Sequence, residues 1–413
     1  MSKDYDKITS QQAMDLEDKY GAHNYHPIPV VLSRGEGVFL WSPEGKRYFD
    51  FLSAYSAVNQ GHCHRRLVSI VREQAGILTL TSRAFYNNWL GPFEEKMTRL
   101  FGYDKLLPMN SGAEGVETAI KLARRWGYDR KKVTPDKAKI IVCENNFHGR
   151  TTTIVGFSTD PESYGGFGPF TPGFVTIPFD DPEALSSAID ENTVAFLVEP
   201  IQGEAGVNVP KEGYLKSCSE ICTQAKVLLI ADEIQTGLCR TGRMLACNYE
   251  KVRPDILILG KALSGGFMPV SAVLADDEIM LTIKPGQHGS TFGGNPLACR
   301  IAMEAMDILI TEKLADNAFK TGEIFRSELR KMKSPLIKNV RGKGLLNAVI
   351  IEPIEIEGRT QTAWDVCLSL AENGLLAKPT HDHIIRFAPP LVITKEQIRE
   401  CVDIIKRTLS QFV

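Results

Sequence analysis

No apolar run in the sequence approaches the roughly eighteen residues that a membrane-spanning helix needs, so no membrane partner is expected. Charge of neither sign dominates: 48 Lys and Arg face 50 Asp and Glu, a net charge of −2. A nucleic-acid partner, which calls for a basic surface, is therefore not expected either. The nine cysteines include no CxxC pair. Cys218 and Cys222 stand four apart in an apparently helical stretch, and no histidine pair follows them at zinc spacing, so no metal site is expected. Reduced thiols of an intracellular protein are the simplest reading. Repeats, low-complexity tracts and Ser/Gly linkers are missing too. The opening residues, Met1-Ser-Lys-Asp-Tyr-Asp-Lys7, have no apolar core and read as neither a secretory signal nor an Arg-rich transit peptide. As the sequence stands a cytoplasmic protein is expected, or one of the mitochondrial matrix if a presequence has been removed.

What is present is length and alternation. At 413 residues the chain is too long for one simple core and suggests a large domain with a smaller one. Ala138–Cys143, Val194–Val198, Val227–Ala231 and Ile256–Leu259 are short, continuous apolar runs, as strands buried on both faces of a parallel sheet would be. Helical patterns at Glu114–Trp126 and Gly213–Gln224 lie between them, which predicts an α/β sheet flanked by helices. Gly37–Trp41 and Arg47–Phe51 flank a turn at Ser42–Gly45 and predict a hairpin. Beyond about residue 315, helices mix with short strands at Gly344–Ile351 and Ile384–Ala388. Thr394 and Gln397 form a capping box before a helix with Ile398, Val402, Ile405 and Leu409 on one face. The expected division is an N-terminal segment (1–55) that joins a small α+β domain (316–413), and a large α/β domain (56–315). The basic clusters Arg124-Arg125 and Arg130-Lys131-Lys132 are expected on solvated helix faces.

Three features carry chemistry. Pro254-Asp-Ile-Leu-Ile-Leu-Gly-Lys261 runs an apolar strand into a Gly-flanked lysine. The carboxyl end of a strand opens on the crevice where α/β sheets bind ligands, and there a desolvated lysine becomes a nucleophile toward an aldehyde. Taken alone, Lys261 reads first as an ordinary lysine reaching solvent. Val227-Leu-Leu-Ile-Ala-Asp232 ends a second strand in a carboxylate, followed by Glu233. A protonated pyridine nitrogen would suit that carboxylate; so would a helix cap or a salt bridge. Asn110-Ser-Gly-Ala-Glu-Gly115 opens an amphipathic helix whose free N–H groups and dipole could hold a phosphate, or could form only an ordinary cap. It is neither GxGxxG nor a P-loop, which weakens dinucleotide and nucleotide readings.

With these residues in view, the sequence resembles the class III pyridoxal-phosphate (PLP) aminotransferases, of PLP fold type I, over nearly its whole length. The matching motifs are Ala54-Tyr-Ser-Ala-Val-Asn-Gln-Gly-His62, Asn146-Phe-His-Gly-Arg150, Glu199-Pro-Ile-Gln-Gly-Glu204, Ala231-Asp-Glu-Ile-Gln-Thr-Gly237, Gly260-Lys-Ala-Leu-Ser-Gly-Gly266 and His288-Gly-Ser-Thr-Phe-Gly-Gly-Asn295. The resemblance implies pyridoxal 5'-phosphate as cofactor, carried on Lys261, with Asp232 on its ring nitrogen, Gln235 near its ring hydroxyl and Phe147 stacked on its face. It implies Ser111, Gly112 and Ala113 at the phosphate, with Ser290 and Thr291 of a second subunit, hence a homodimer with shared sites. Many relatives carry a hydroxyl residue where Ala113 stands, which leaves only the backbone there. Within the family the resemblance is to members acting on the δ-amine of L-ornithine with 2-oxoglutarate as acceptor. It implies Tyr25, Tyr55 and Arg150 for ornithine, Arg386 for the oxoacid, and Glu204 as a gate on Arg386. Enzymes acting on N-acetylornithine or 4-aminobutyrate are the near alternatives. A non-catalytic PLP-binding protein is the remote one, weakened by the presence of both Lys261 and Asp232.

Overall fold

The computed structural model describes residues 8–356 and 358–412. The stretch Met1–Lys7, read above for targeting signals, lies outside the described residues. The hairpin forms as expected: β1 (Arg34–Glu36), β2 (Phe39–Trp41) and β3 (Arg47–Asp50) run antiparallel in that order. Gly45 makes the turn at φ +88°, a backbone region that glycine enters without steric cost.

The central sheet holds β4 (Lys105–Met109), β5 (Lys139–Cys143), β6 (Phe174–Ile177), β7 (Thr193–Val198), β8 (Leu228–Asp232), β9 (Ile256–Leu259) and β10 (Ser271–Ala275). Their order is β4-β10-β9-β8-β7-β5-β6. Only β10 runs against its neighbours, so the sheet is mostly parallel. Every residue of β7, β8, β9 and β10 is buried. Side chains alternate between two apolar layers: Phe196 and Val198 join one core with Cys218, Cys222 and Ile301, while Ala195 and Leu197 join another with Val116, Ile120 and Leu122. Helix Gly112–Trp126 thus covers one face and helices Tyr214–Ala225 and Pro296–Thr311 the other. Strands buried on both faces have no polar side to show, hence the continuous apolar runs.

Beyond the central sheet come β11 (Ile337–Lys343), β12 (Leu346–Ile351), the two-stranded pair β13 (Ile354–Ile356) and β14 (Arg359–Gln361), then β15 (Leu375–Leu376), β16 (Lys378–Thr380) and β17 (Ile384–Phe387). β11-β12-β17-β16 form an antiparallel sheet, and β15 pairs in parallel with β3, joining the two ends of the chain in one sheet. Phe49 N–H donates to Gly374 O at 2.8 Å and Phe51 N–H to Leu376 O at 2.9 Å. The Thr394–Gln397 capping box opens helix Lys395–Leu409, which buries Ile398, Val402, Ile405 and Leu409.

One expectation is corrected. Arg124 and Lys131 are not free surface cations: Arg124 donates to Pro172 O at 2.7 Å with its guanidinium 5.2 Å from the Phe174 ring centroid, and Lys131 Nζ donates to Thr193 O at 2.6 Å. The helix runs on into a π-turn at Gly127–Lys131, which carries Lys131 inward to the carbonyls of Thr193 and Ala225. All nine cysteines are unpaired thiols and only Cys63 is exposed. No helix among the described residues is long and apolar enough to cross a membrane.

Candidate active site

The carboxyl ends of adjacent strands deliver the site. Asp232 closes β8, Lys261 follows β9 after one glycine, Phe147, His148 and Gly149 follow β5, and Glu199 and Glu204 follow β7. They line one cavity of about 200 Å³ together with Gly112, Ala113, Ile234 and Gln235. This is where ligands bind on open α/β sheets.

Lys261 begins a 3-10 turn at φ +42°, a strained conformation for a residue with a side chain. Burial holds its amine below the usual lysine range, against the pull of Glu204 and Asp232. A larger fraction of neutral, nucleophilic amine follows. Asp232 accepts from His148 Nδ1 at 2.7 Å and from Ile234 N–H at 3.1 Å. His148 is fully buried; burial disfavours its charged form, but its bond to Asp232 outweighs that and raises its proton affinity. Glu199 accepts from Phe147 N–H at 2.9 Å, and burial pushes its carboxyl up to about 7. Glu233, next to Asp232 in the sequence, plays another part: it accepts from Thr236 Oγ1 and from Cys247 N–H at 2.8 Å, away from the cavity. His148 and Glu199 were missed as functional residues although both stand inside quoted motifs; their burial on adjacent strand ends was the signal, and it is tertiary.

At the helix end of the cavity, Ser111 Oγ accepts from Glu114 N–H at 3.2 Å, and the Glu114 carboxylate accepts from Ser111 N–H at 2.7 Å and Asn110 N–H at 3.0 Å. Gly112 and Ala113 line the cavity, and their N–H groups have no acceptor among the described residues; Ser111 is exposed and does not line it. Gly149 sits at φ +133° where a Cβ would lie 2.9 Å from Ala113 Cβ, so glycine alone lets this loop reach the helix start. Ser290 Oγ accepts from Asn110 Nδ2 at 2.7 Å and Thr291 is exposed; neither lines the cavity of its own chain.

The cavity's mouth draws on other segments. Arg386, on β17, donates to Glu204 Oε1 at 2.6 Å, and Gln235 Nε2 donates to the same oxygen at 3.0 Å. Burial would raise the Glu204 carboxyl, but Arg386 and Lys261 pull it down to about 2. Gln235 is therefore turned to Glu204, with its Oε1 buried and without a partner among the described residues. Tyr55 lies 5.2 Å (ring centroid) from the Arg386 guanidinium; burial raises its hydroxyl's value, and Arg386, Glu204, Tyr25 and Arg150 all act on it. It stands in a turn, Ser53–Ser56, whose four residues all have positive φ. Left-handed backbone costs about 1–2 kcal/mol per residue, so this turn persists only because its surroundings impose it. Arg150 is exposed, 5.8 Å from the Phe147 ring centroid, and pairs with no carboxylate among the described residues. Tyr25 is 67% exposed with Lys378 Nζ 5.8 Å over its ring, so it marks the outer edge of the mouth.

The arrangement fits pyridoxal phosphate: two unpartnered N–H groups at a helix start for an anion, Phe147 and Ile234 as apolar walls, a carboxylate fixed by a buried histidine, and a desolvated lysine. Aldehyde-carrying cofactors of this kind need that set. The comparisons agree. A family model described as Aminotransferase class-III matches residues 20–409, and the chain belongs to that family. It is 62% identical to the mitochondrial ornithine aminotransferase of Drosophila ananassae, over 97% of this chain and 91% of that protein. A solved ornithine aminotransferase from Toxoplasma gondii, described as having PLP at partial occupancy in its active site, superposes with a TM-score of 0.95 at 50% identity, covering 98% of this chain and 95% of that one. An acetylornithine aminotransferase from Elizabethkingia anophelis gives a TM-score of 0.89 at 58% identity, covering 98% and 100%.

Proposed function

We propose that the chain is a PLP-dependent ornithine δ-aminotransferase, moving the δ-amino group of L-ornithine to 2-oxoglutarate in two half-reactions that share one pocket. The observation that carries this reading is the Glu204–Arg386 pair at 2.6 Å beside Lys261, with Arg150 left unpaired farther out. A diamino acid that reacts at its far amine must have its α-amino and carboxylate groups held away from the lysine. Arg150 can take the carboxylate in a two-bond fork, and Tyr25 and Tyr55 supply hydroxyls for the α-amino end. While Glu204 neutralises Arg386, no second carboxylate is drawn toward Lys261. When Glu204 turns away, Arg386 is open to the α-carboxylate of the oxoacid, so one pocket serves two differently charged substrates.

Bound pyridoxal phosphate supplies an aldehyde that takes up the amine and a protonated ring that accepts electron density from the substrate carbon. Gly112 and Ala113 would hold its phosphate through N–H groups, with Ser111 at the same helix start, Asp232 its ring nitrogen, Gln235 its ring hydroxyl, and Phe147 its face. Lys261 would carry the cofactor, and its amine, once free, would remove a proton from the substrate's δ-carbon. The products are glutamate 5-semialdehyde, which cyclises to pyrroline-5-carboxylate, and then glutamate. Ser290 and Thr291 would complete the phosphate site of a second subunit in a homodimer. In support, Phe85, Tyr86 and Phe292 are large apolar side chains left exposed. We also propose the division at residues 55 and 315, supported by the pairing of β3 with β15.

The test is to add L-ornithine, without oxoacid, to the purified holoenzyme. Loss of the cofactor's visible absorbance, with a pyrroline product trapped by o-aminobenzaldehyde, is expected. A second reading, N-acetylornithine as substrate, is favoured by the 58% identity to the Elizabethkingia structure. A response to N-acetylornithine with none to ornithine would select it.

A further inference from the structure

The left-handed turn that carries Tyr55 is not held by its own side chains. The hydroxyls of Ser53 and Ser56 are buried and have no partner among the described residues. The one side chain that hydrogen-bonds to the turn's backbone, among the described residues, belongs to Asp50 at the end of β3. Its Oδ1 accepts from Leu52 N–H and from Ser53 N–H, both at 2.8 Å. Its Oδ2 meets His62 Nε2 at 2.7 Å, and Asp50 is only 3% exposed. His62 in turn is fixed by its backbone: it donates to Gly37 O at 2.8 Å and accepts from Gly37 N–H at 2.9 Å. Its ring lies against Gly35, where a Cβ would come within 3.0 Å. Asp50 and His62 therefore stand at the two ends of the segment that contains the turn, and they tie it to the β1–β3 hairpin.

We propose that the Asp50–His62 pair is a positioning device that sets Tyr55 against Arg386 and thereby the preference for a substrate with an α-amino group. The inference rests on the ornithine reading. A carboxylate that accepts the N–H of the residue before a left-handed turn and that of the turn's first residue fixes where the turn starts, and its second oxygen is held by a histidine that cannot drift. With the pair broken, four residues relax toward ordinary backbone and the Tyr55 hydroxyl moves from the pocket. Displacements of about 1 Å at a substrate-positioning group can cost on the order of 10²-fold in rate.

The experiment compares kcat/KM for L-ornithine with that for 5-aminopentanoate, which is ornithine without its α-amino group, in the holoenzyme. Asp50→Ala and His62→Leu are expected to lower the ornithine to 5-aminopentanoate ratio about tenfold or more. His62→Gln, whose amide N–H can still donate to Asp50, is expected to keep most of it. In a Tyr55→Ala background, Asp50→Ala is expected to leave the ratio where Tyr55→Ala alone put it, since the two act through one group. Equal losses for both substrates, or a further fall of the ratio without Tyr55, would mean a purely structural role and overturn the inference. If Asp50→Ala does not fold, the two His62 variants decide the question, because they keep the Asp50 side chain and differ only in whether it is still held. Wild-type enzyme that ignores ornithine yet responds to N-acetylornithine would overturn the substrate reading, and this inference with it.

Discussion

The floor of the cavity and its mouth are built on different principles. Lys261, Asp232, Glu199 and His148 follow β9, β8, β7 and β5, four strands that are neighbours in the sheet. Adjacent strands stand about 4.8 Å apart, so side chains at their ends are placed by the ladder itself. Each of these carboxylates and the histidine is buried, and their hydrogen bonds run among themselves or to nearby backbone. The mouth draws Tyr25, Tyr55, Arg150, Glu204 and Arg386 from five separate segments, and Arg386 comes from a different sheet. It is partly open to solvent, includes a strained turn, and holds its central contact through one guanidinium–carboxylate bond. On the proposed reaction, the groups that would make and break bonds sit on the rigid ladder. Those that would exchange partners between two substrates sit where one contact can open without disturbing a strand.

This contrast can be broken by substitution. On the floor, Lys261→Ala should lose at least the 10²–10⁴ that a placed acid–base group contributes, while circular dichroism stays native. Substantial steady-state turnover by it would remove Lys261 from its role. At the mouth, Arg150→Ala should raise KM for ornithine by on the order of 10²-fold and change kcat far less, because the contact is made before and during reaction alike. An equal fall in kcat would place Arg150 with the floor. Glu204→Gln should leave Arg386 charged and open, so that the substrate's own carboxylate binds there and brings its α-amine to Lys261. The fraction of product formed by α-amine transfer should rise about tenfold, read by mass spectrometry. An unchanged product would mean that Glu204 is no gate.

The smallest effect concerns pH and stability. Folding raises the Glu199 carboxyl from its ordinary 4.5 to about 7. Between those values the folded chain keeps a proton that the unfolded chain has lost, so this group's contribution falls as pH rises through that window. Glu199→Gln, which cannot ionise, should be relatively more stable at pH 8 than at pH 5, by at most about 3 kcal/mol against wild type. Equal offsets at both pH values in calorimetry would mean that Glu199 is ionised throughout. Glu204 behaves oppositely. Its value is lowered to about 2, so the stability of its pair with Arg386 is present above pH 4.5 and is lost only as pH falls toward 2.

Much of the floor was legible in the sequence. Val227–Asp232 and Pro254–Lys261 read as buried strands ending in a carboxylate and a lysine because a strand covered on both faces leaves an unbroken apolar run. His148 and Glu199 were not read as functional, since a histidine and a glutamate show no sign of burial until the helices close over them. The capped helix start at Ser111 was legible, but the division of its N–H groups was not: Glu114 takes those of Asn110 and Ser111, leaving those of Gly112 and Ala113. Arg124 and Lys131 looked like surface charge because periodicity does not see the carbonyls of Pro172 and Thr193, which arrive from far along the chain.

By itself the sequence determined the mostly parallel sheet, the paired termini, the strand-end lysine and aspartate, and through its motifs the family. Those follow from local patterns: apolar runs, capping residues, glycines at tight approaches. Only the tertiary structure decided which nitrogen Asp232 meets, that Glu204 holds Arg386 across 182 residues of chain, and that Asp50 and His62 fasten the turn under Tyr55. Such contacts join residues whose separation along the chain carries no period and no signature. Burial then sets their strength, because a charge or hydrogen bond has its full effect only where water is excluded.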